Sequence, residues 1–413
     1  MSRTALALVL VAAAAGGACA LDAGDVEQAV GAAARGLGAT VRLLASDREQ
    51  GRDNDTPESL RAQSKLVRAL RRVAQSPYPG ARGLEAFKQH FTVATSFGPL
   101  VGTNLLAVIP GRELPDEYLM VGVHYDHLGT RSTPNGACSA RGAPGGAVCN
   151  GATDNATGVA EVLAIGRAIK RLPTPPRRSV VLALWDAEED GLRGSLYYVG
   201  HPVLPLARTR AYVNFDIQGS DLLPSLARTS FAVGGETGGA TLRTIVAGAV
   251  AAEGLHTLPL SYIFGQLRSD YASLVGVNVP TIFFSDSTNG CYHTTMDDVG
   301  VVDWKKLETQ SRIAFRVAVA LAETQTPPAF VPPNPALATY ADALALQQVF
   351  HAAAPDLSLF PPADRQAELD VRDAIDGIVA GGPAAFDSAD VGTLLTAALN
   401  GIAAIQRLGC RTP

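Results

Sequence analysis

The sequence has few charged residues and no cluster of basic ones. Charged residues make up 18% of the 413 residues and the formal net charge is -5. A nucleic-acid-binding surface normally shows as clustered Lys and Arg, so we expect no nucleic-acid partner. Hydrophobic residues make up 47%, which excludes a disordered chain and is typical of a protein with a large buried core.

Long apolar runs are also scarce, and the longest stands at the N-terminus. Residues 5–15 are apolar, they follow Arg3, and small residues lead to Ala20. This is the three-part pattern of a secretory signal, and the run is shorter than the roughly 20 residues of a membrane span. We therefore expect export, secreted or periplasmic, with residues 1–20 removed. An uncleaved anchor helix and a lipid on Cys19 are the less favoured alternatives, and no other segment is typical of a transmembrane helix.

Cysteine is rare, and removal of the predicted signal peptide would remove one of the five cysteines, Cys19. Four remain: Cys138, Cys149, Cys291 and Cys410. An even number in an exported chain predicts disulfides. Cys138 and Cys149 lie in one loop rich in Gly and Pro and form the easiest pair to close, which leaves Cys291 with Cys410. No Cys-x-x-Cys spacing supports a cysteine metal site.

Apolar periodicity predicts strands that alternate with helices. The predicted strands are 91–97, 104–110, 117–124, 179–185, 210–216 and 281–285. The predicted helices are 25–44, 57–70, 159–169, 192–199, 241–252 and 304–323. Such alternation predicts an α/β fold with a mixed, largely parallel central sheet and helices on both faces.

A proline-rich segment divides the chain near its end. Residues 326–335 predict a semi-rigid linker, and residues 336–413 are rich in Ala and Leu with two or three helical periods. We therefore predict a main domain over residues 21–325, the linker, and a C-terminal helical appendage over residues 336–413.

Two adjacent glutamates, Glu188 and Glu189, follow the predicted strand 179–185. A solvated acidic turn is the ordinary interpretation of such a pair. However, open α/β sheets bind ligands at the carboxyl ends of their strands, and other segments bring metal-competent residues to the same edge. Two imidazoles and three carboxylates are a ligand set that suits two Zn²⁺ ions. The five candidates are His124, Asp154, Glu189, Asp216 and His293.

Five motifs occur in the order found in the M28 family of zinc aminopeptidases, which the chain resembles from about residue 43 to residue 323. They are His-x-Asp at 124, Gly-Ala-x-Asp-Asn-x-x-Gly at 151, Glu-Glu-x-Gly-Leu-x-Gly-Ser at 188, Asn-x-Asp at 214 and Tyr-His-Thr-x-x-Asp at 292. The resemblance implies that residues 21–325 form a zinc peptidase domain. It also implies that the protein hydrolyses the N-terminal peptide bond of peptide substrates.

The resemblance also implies how two zinc ions per chain are held. Asp154 would bridge both ions, with His124 and Asp216 completing one site. Glu189 and His293 would complete the other. A water between the two ions would be the nucleophile.

Further roles follow from the same resemblance. Glu188 would be the general base and Asp126 would orient His124. The chain departs from the family pattern at Thr295, where proline is usual, and at Gln218, where a small apolar residue is common. Neither change removes a ligand, and both affect the wall of the pocket.

Other functions stay open at this point. A glutaminyl-cyclase-like enzyme uses a similar ligand set with one zinc, although the Gly-Leu-x-Gly-Ser segment favours a peptidase. A carboxypeptidase of the same superfamily and a non-catalytic peptide-binding protein are further alternatives, the last disfavoured by the complete ligand set. Three more residues are candidates for lining the site: His127, Tyr262 and Tyr292.

Overall fold

The computed structural model describes residues 21–96, 98–132, 138–139, 147–334 and 337–411. The predicted signal peptide and Cys19 lie outside the described residues. Within them, the predicted α/β fold is confirmed, because an eight-stranded mixed sheet carries helices on both faces.

The strands lie in the order β1-β2-β4-β3-β5-β8-β6-β7. β4, β3, β5 and β8 are mutually parallel, and β2 and β6 run antiparallel to this central group. The sheet is therefore largely parallel at its centre and mixed towards its edges. The strands are β1 Lys88–Thr95, β2 Gly98–Ile109, β3 Leu114–His124, β4 Arg178–Trp185, β5 Thr209–Phe215, β6 Thr229–Val233, β7 His256–Leu260 and β8 Thr281–Ser285.

Eleven α-helices are seen in the described part of the chain, with short 3-10 turns between some of them. They are α1 Ala23–Ala33, α2 Leu37–Leu44, α3 Pro57–Leu70, α4 Thr157–Ile169, α5 Arg193–Gly200, α6 Gly239–Glu253, α7 Tyr271–Val275, α8 Trp304–Glu323, α9 Tyr340–Ala352, α10 Pro362–Gly381 and α11 Ser388–Arg407.

Two buried clusters cover the two faces of the sheet. On one face α1, α2, α4 and α8 pack around aliphatic residues such as Val121 and Leu182. On the other, α5 and α7 pack around aromatic residues that include Trp185, Tyr212 and Phe283. Both faces of the central strands are therefore buried, as expected of a parallel sheet.

Two strands, the short helix α7 and one helix break were not predicted. β6 is short, and β7 contains Pro259, which argues against a strand because proline cannot donate to a ladder. β7 lies at the edge of the sheet, where proline is tolerated. The single helix predicted over 25–44 is wrong, because Gly36 adopts a left-handed conformation (φ 75°) between α1 and α2.

The central strands all end at one edge of the sheet. His124 is the last residue of β3, and Asp216 directly follows β5. Glu188 and Glu189 come just after β4, and His293 lies in the loop that follows β8. Because parallel strands present their carboxyl ends together, the fold alone brings these five side chains to one place.

The C-terminal helices α9 to α11 form a small cluster of their own and also pack on the main domain. Leu346, Ile375 and Leu394 bury their side chains between the three helices. Phe360 and Ile405 pack against leucines of the main domain. The predicted helical appendage is thus present as structure, while its exact boundaries stay a prediction.

Among the described helices, α11 alone is long and apolar enough to cross a membrane by length and composition, with a mean hydropathy of 1.3. From the sequence we predicted no segment of this kind beyond the N-terminal one. Leu394, Ala397 and Ile405 on this helix are buried within the protein.

Both predicted disulfides are formed. Cys138 pairs with Cys149 and Cys291 pairs with Cys410. The second bond ties the end of the chain, just after α11, to the loop that carries His293. Two disulfides are typical of a protein that folds in an oxidising compartment.

Candidate metal centre

The turn that carries the two glutamates is fixed by polar contacts beneath it. The backbone N–H of Asp186 donates to Asn104 Oδ1 (3.2 Å), and the backbone N–H of Thr103 donates to Asp186 Oδ2 (2.7 Å). Gly194, the second residue of the following helix α5, packs closely against this pair, since a Cβ there would clash with Asn104 Oδ1 and with the carbonyl oxygen of Asp186. The Glu188-Glu189 turn is therefore held rigidly between β4 and α5.

Asp126 holds the same turn from the other side. Its Oδ1 accepts from the backbone N–H of Glu188 (3.1 Å) and its Oδ2 accepts from that of Glu189 (3.2 Å). Its Oδ1 also lies 3.6 Å from His124 Nδ1. Asp126 thus positions both glutamates, and it also lies beside His124, the imidazole that it was predicted to orient.

His124, Asp154 and Asp216 form one cluster of potential ligand atoms. His124 Nε2 lies 3.3 Å from Asp154 Oδ1 and 3.4 Å from Asp216 Oδ1, and all three residues are buried. Asn155 orients Asp216 by donating from Nδ2 to its Oδ1 (3.2 Å). One atom from each member of the cluster lies within 4.8 Å of the others.

Asp154 also belongs to a second cluster. His293 Nε2 lies 3.3 Å from Asp154 Oδ2 and 3.1 Å from Glu189 Oε2. The backbone N–H of Asp154 donates to Asp297 Oδ2 (3.1 Å), which fixes the loop that presents it. Asp154 therefore offers one oxygen to each cluster, which is the arrangement a bridging ligand needs.

His127 is the main addition that the structure makes to the candidate site. Its Nδ1 lies 2.7 Å from Glu189 Oε1 and 3.8 Å from Asp154 Oδ2. His127, Asp154 and Glu189 each offer an atom within 4.8 Å of the others, a group to which His293 does not belong although it lies beside the same two carboxylates. The sequence analysis named it only as a candidate for lining the site. Its position three residues after His124, just beyond the end of β3, is the signal that could have pointed to more.

Arg52 organises the loops around the site without touching the ligands' own side chains. It is fully buried. Its guanidinium donates to the carbonyl oxygens of Tyr125 (2.9 Å), Asn150 (2.7 Å) and Gly151 (3.1 Å). It thereby ties the end of β3 to the loop that leads to Asp154. Burial lowers the pKa of Arg52 to about 10, and nearby carboxylates raise it in part.

Three residues of the site have left-handed backbone conformations that side chains other than glycine rarely adopt. They are Ala187 (φ 54°), Ile217 (φ 59°) and His293 (φ 57°). His293 is itself a candidate ligand, Ala187 directly precedes Glu188, and Ile217 directly follows Asp216. Such strain costs about 1–3 kcal/mol per residue and is typical of functional sites.

The two adjacent glutamates have opposite pKa shifts. Burial raises the pKa of Glu188 well above its usual range, with Asp216 and Glu189 acting in the same direction against His124. Burial alone would also raise the pKa of Glu189, yet His293 and His127 hold it at about 2. Glu189 is therefore the charged partner of imidazoles, whereas Glu188 lies among other carboxylates.

The donor set fits divalent zinc. The Nε2 atom of His293 is buried without a hydrogen-bond partner, although carboxylate oxygens of Asp154 and Glu189 surround it. Imidazole nitrogens and carboxylate oxygens that point at common positions are the ligands zinc prefers. Two of these imidazoles pair directly with carboxylates, His127 with Glu189 (2.7 Å) and His124 with Asp216 (3.4 Å). Glu188 is close to the first cluster, 4.0 Å from His124 Nε2, but belongs to neither.

An open cavity begins at this centre. It has a volume of about 1440 Å³, including its opening to solvent, and its lining includes Asp154, Glu188, Glu189 and Asp216. Tyr292 also lines it and stacks on the His293 ring, with ring centroids 3.7 Å apart. Tyr262 is instead packed against Tyr271 in the core.

A largely parallel α/β sheet thus presents two clusters of metal-competent side chains at its carboxyl edge, which is the arrangement that the order of the motifs predicts for a metallopeptidase. The sequence model of peptidase family M28 matches residues 104–318, which is just over half of the chain. The protein belongs to this family of peptidases, as the order of its motifs predicts.

Curated relatives match a part of the chain. Leupeptin-inactivating enzyme 1 of Streptomyces exfoliatus is 35% identical over 141 residues, which cover 34% of this chain and 27% of that protein. Aminopeptidase NAALADL1 of Mus musculus is 33% identical over 120 residues, which cover 28% of this chain and 13% of that protein. The chain thus spans less than a third of the length of either relative.

Solved structures share the fold over a longer span. The aminopeptidase LapA of Legionella pneumophila has a TM-score of 0.55 at 18% identity, covering 76% of this chain and 79% of that one. The glutaminyl cyclase of Porphyromonas gingivalis has a TM-score of 0.54 at 17% identity, covering 69% of this chain and 96% of that one. At such identities the likeness shows the fold alone.

Proposed function

We propose that the protein is an exported zinc aminopeptidase that removes the N-terminal residue from peptides with two zinc ions. The observation that carries the proposal is the convergence of two ligand clusters on Asp154 beside Glu188, a carboxylate that belongs to neither cluster. The name of the mouse relative supports the aminopeptidase reaction, and the two disulfides support export.

The chain's own residues would hold two zinc ions with a defined division of labour. His124 and Asp216 would bind one ion, Glu189 and His293 the other, and Asp154 both. When bound, the ions would polarise the scissile carbonyl and lower the pKa of the attacking water.

Glu188 has the position of the residue that moves the proton. It is 8% exposed and lines the cavity next to both clusters. It would accept a proton from the attacking water and deliver it to the leaving amine, a role that contributes about 10²–10⁴-fold in rate. Positive charge bound beside it would lower its raised pKa, because a cation favours the carboxylate form. Asp126, through the amides of both glutamates, keeps this base aligned.

A carboxypeptidase is the second candidate, and Arg268 is the observation that favours it. Its guanidinium donates to the hydroxyl of Tyr292 (3.0 Å) and lies 5.6 Å from the centroid of that ring. Both residues line the cavity. A cation at this place is the group that would pair with the C-terminal carboxylate of a substrate.

A panel of blocked peptides separates these functions. One sequence is prepared free, N-acetylated or C-amidated, and a glutaminyl peptide is added to detect cyclisation. We expect cleavage of the free and amidated peptides, none of the N-acetylated peptide, and loss of activity with a chelator. Cleavage that needs a free C-terminal carboxylate would show that the protein is a carboxypeptidase and not an aminopeptidase. Cyclisation of the glutaminyl peptide would show that it is a glutaminyl cyclase. Activity that resists chelation would contradict every zinc mechanism.

A further inference from the structure

The cavity that begins at the candidate metal centre continues between the main domain and the C-terminal helices. Its main-domain wall includes Phe231 on β6 and Phe283 on β8. Its opposite wall includes Phe350 on α9 and Gly401 and Ile402 on α11. These helices lie outside residues 104–318, the part matched by the family. This wall is therefore formed by residues outside the part of the chain that the family model matches.

The helical wall is anchored at several points. The buried carboxylate of Asp342, in the first turn of α9, accepts from the backbone N–H of Ser261 (2.7 Å) and from its hydroxyl (2.7 Å). Asp356 Oδ2 accepts from the backbone N–H of Ser225 (2.7 Å). The bond between Cys291 and Cys410 fixes the end of α11 two residues from His293. The helices are thus held in place against the site.

The chemistry of the described lining is mostly apolar. Its charged members are the four carboxylates of the centre, Arg268 beside Tyr292, and Glu368 and Arg372 on α10. The rest of the lining is dominated by Leu, Ile, Val and Phe side chains of both walls. A charged substrate side chain placed among these apolar residues, away from Arg268, Glu368 and Arg372, would lose its hydration without a matched partner. A bulky apolar side chain would fill the space and be removed from water.

We propose that α9 and α11 form a wall of the substrate cavity and select peptides whose N-terminal residue has a bulky apolar side chain, of the Leu or Phe class. This inference rests on the aminopeptidase function proposed above. It assigns residues of the C-terminal helices, Phe350, Gly401 and Ile402, to substrate selection.

Gly401 offers a direct test because a side chain added there enters the cavity. A Cβ at this position would lie 3.6 Å from Phe350 Cζ and 3.7 Å from Glu368 Oε2, which are ordinary contacts. Gly401→Leu would therefore narrow the cavity without a clash at the backbone. Gly392→Leu is the matched control, since it lies on the same helix, is exposed, and has nothing within 4 Å of its Cβ position.

The measurement is kcat/KM for the p-nitroanilides of Phe, Leu, Ala, Lys and Glu. We expect the unaltered protein to prefer Phe and Leu to Ala, Lys and Glu. Gly401→Leu should lower the Phe to Ala ratio on the order of tenfold, whereas Gly392→Leu should leave it unchanged. If Gly401→Leu fails to fold, Phe350→Leu gives the reciprocal test, because it enlarges the cavity and should raise the ratio.

The outcomes separate this inference from the function on which it rests. An active protein that prefers Ala, Lys or Glu, or a Phe to Ala ratio that none of the cavity variants changes, would overturn the selection by α9 and α11 and leave the aminopeptidase standing. A folded, zinc-loaded protein that cleaves none of the five anilides would overturn the aminopeptidase function and this inference together.

Discussion

At the scale of single residues, the central observation is that two neighbouring glutamates have different surroundings. Glu189 faces two imidazoles, and these hold its pKa at about 2. Glu188 is next to it in sequence, yet it lies among carboxylates that, with burial, raise its pKa. The turn held by Asp126 makes this separation possible, because it points two consecutive side chains into different environments.

Exchanging each glutamate for glutamine should therefore have different effects. We expect Glu188→Gln to keep its zinc and lose about 10²–10⁴-fold in kcat, because it removes only the proton-transferring group. Glu189→Gln should lose zinc, because it removes a ligand. Metal analysis and single-substrate kinetics on both variants check this. Zinc loss in Glu188→Gln with zinc retention in Glu189→Gln would reverse the two assignments.

The sequence was informative about candidate ligands and less so about the residues that hold them. The order of the motifs along the chain identified His124, Asp154 and Glu189, because each motif is a short run of neighbouring residues that can be recognised in the sequence. Arg52 and Asp297 were not predicted to act, since most of their contacts are with backbone groups far away in sequence, as in the bonds of Asp297 to the amides of Thr153 and Asp154. Contacts of that kind depend on how loops meet in three dimensions, which no local pattern encodes.

At the scale of secondary structure, the sheet keeps its stabilising ion pairs at the edge opposite the site. Glu117 on β3 lies between Arg178 on β4 (2.8 Å) and Arg210 on β5 (2.7 Å). Its side chain is 17% exposed. Hydrogen bonds from Arg210 and Arg178 hold its pKa at about 2. The group thus joins the beginnings of three parallel strands.

The position of Glu117 between two arginines predicts how acid affects the stability of the protein. The folded pKa of Glu117 is below its unfolded value of about 4.3, so its stabilisation is present above that value and lost as the pH falls through about 2. Glu117→Gln should lower the free energy of unfolding by about 2 kcal/mol at pH 7, and by progressively less below about pH 4.3. Urea titrations at several pH values check this, with Asp116→Asn as the exposed control. If the difference in unfolding free energy between Glu117→Gln and the unaltered protein does not change with pH, the stabilising role of the Glu117 carboxylate would be contradicted.

The bond between Cys291 and Cys410 is the element that ties the C-terminal helices to the site. It closes a loop with a sequence separation of 119, and loops of this size predict about 5 kcal/mol of stabilisation in the chain-entropy model. Cys410→Ser should lower the free energy of unfolding by about this amount and reduce the preference for Phe over Ala substrates. Denaturant titration and anilide kinetics check both effects. An unchanged stability would contradict the structural role of the bond.

The elements themselves were predicted unevenly. Strands β3, β4, β5 and β8 were found because buried parallel strands are continuous apolar runs. β6 was missed because it begins with Thr229 and Ser230 and so lacks a continuous apolar run, and β7 was missed because it contains Pro259. The break between α1 and α2 was missed because the apolar spacing continues across Gly36.

At the scale of the whole molecule, one cavity joins the metal centre to the C-terminal helices. The sequence predicted both parts, the peptidase domain and the helical appendage. It could not predict that they share a cavity, because the linker composition does not define where the helices pack. That arrangement depends on several contacts, among them the packing of Phe360 and Ile405 on leucines of the main domain and the bond between Cys291 and Cys410.

Metal removal should affect the whole molecule as well as its activity. Asp154, Glu188, Glu189 and Asp216 gather around one cavity, and positive ions would relieve their mutual repulsion. Zinc at 100 times its dissociation constant should stabilise the fold by about 2.7 kcal/mol per independent site. Thermal melts with chelator and after zinc addition check this, with Asp154→Asn as the variant that should respond least. Equal melting temperatures with and without zinc would contradict a metal site built into the fold.

The most direct test of the central claim is the zinc content of the purified protein, measured by elemental analysis beside Asp154→Asn. The account predicts two zinc ions per chain in the unaltered protein and fewer than one in Asp154→Asn, since this residue bridges both clusters. A content of one zinc per chain that Asp154→Asn leaves unchanged would contradict the two-metal centre.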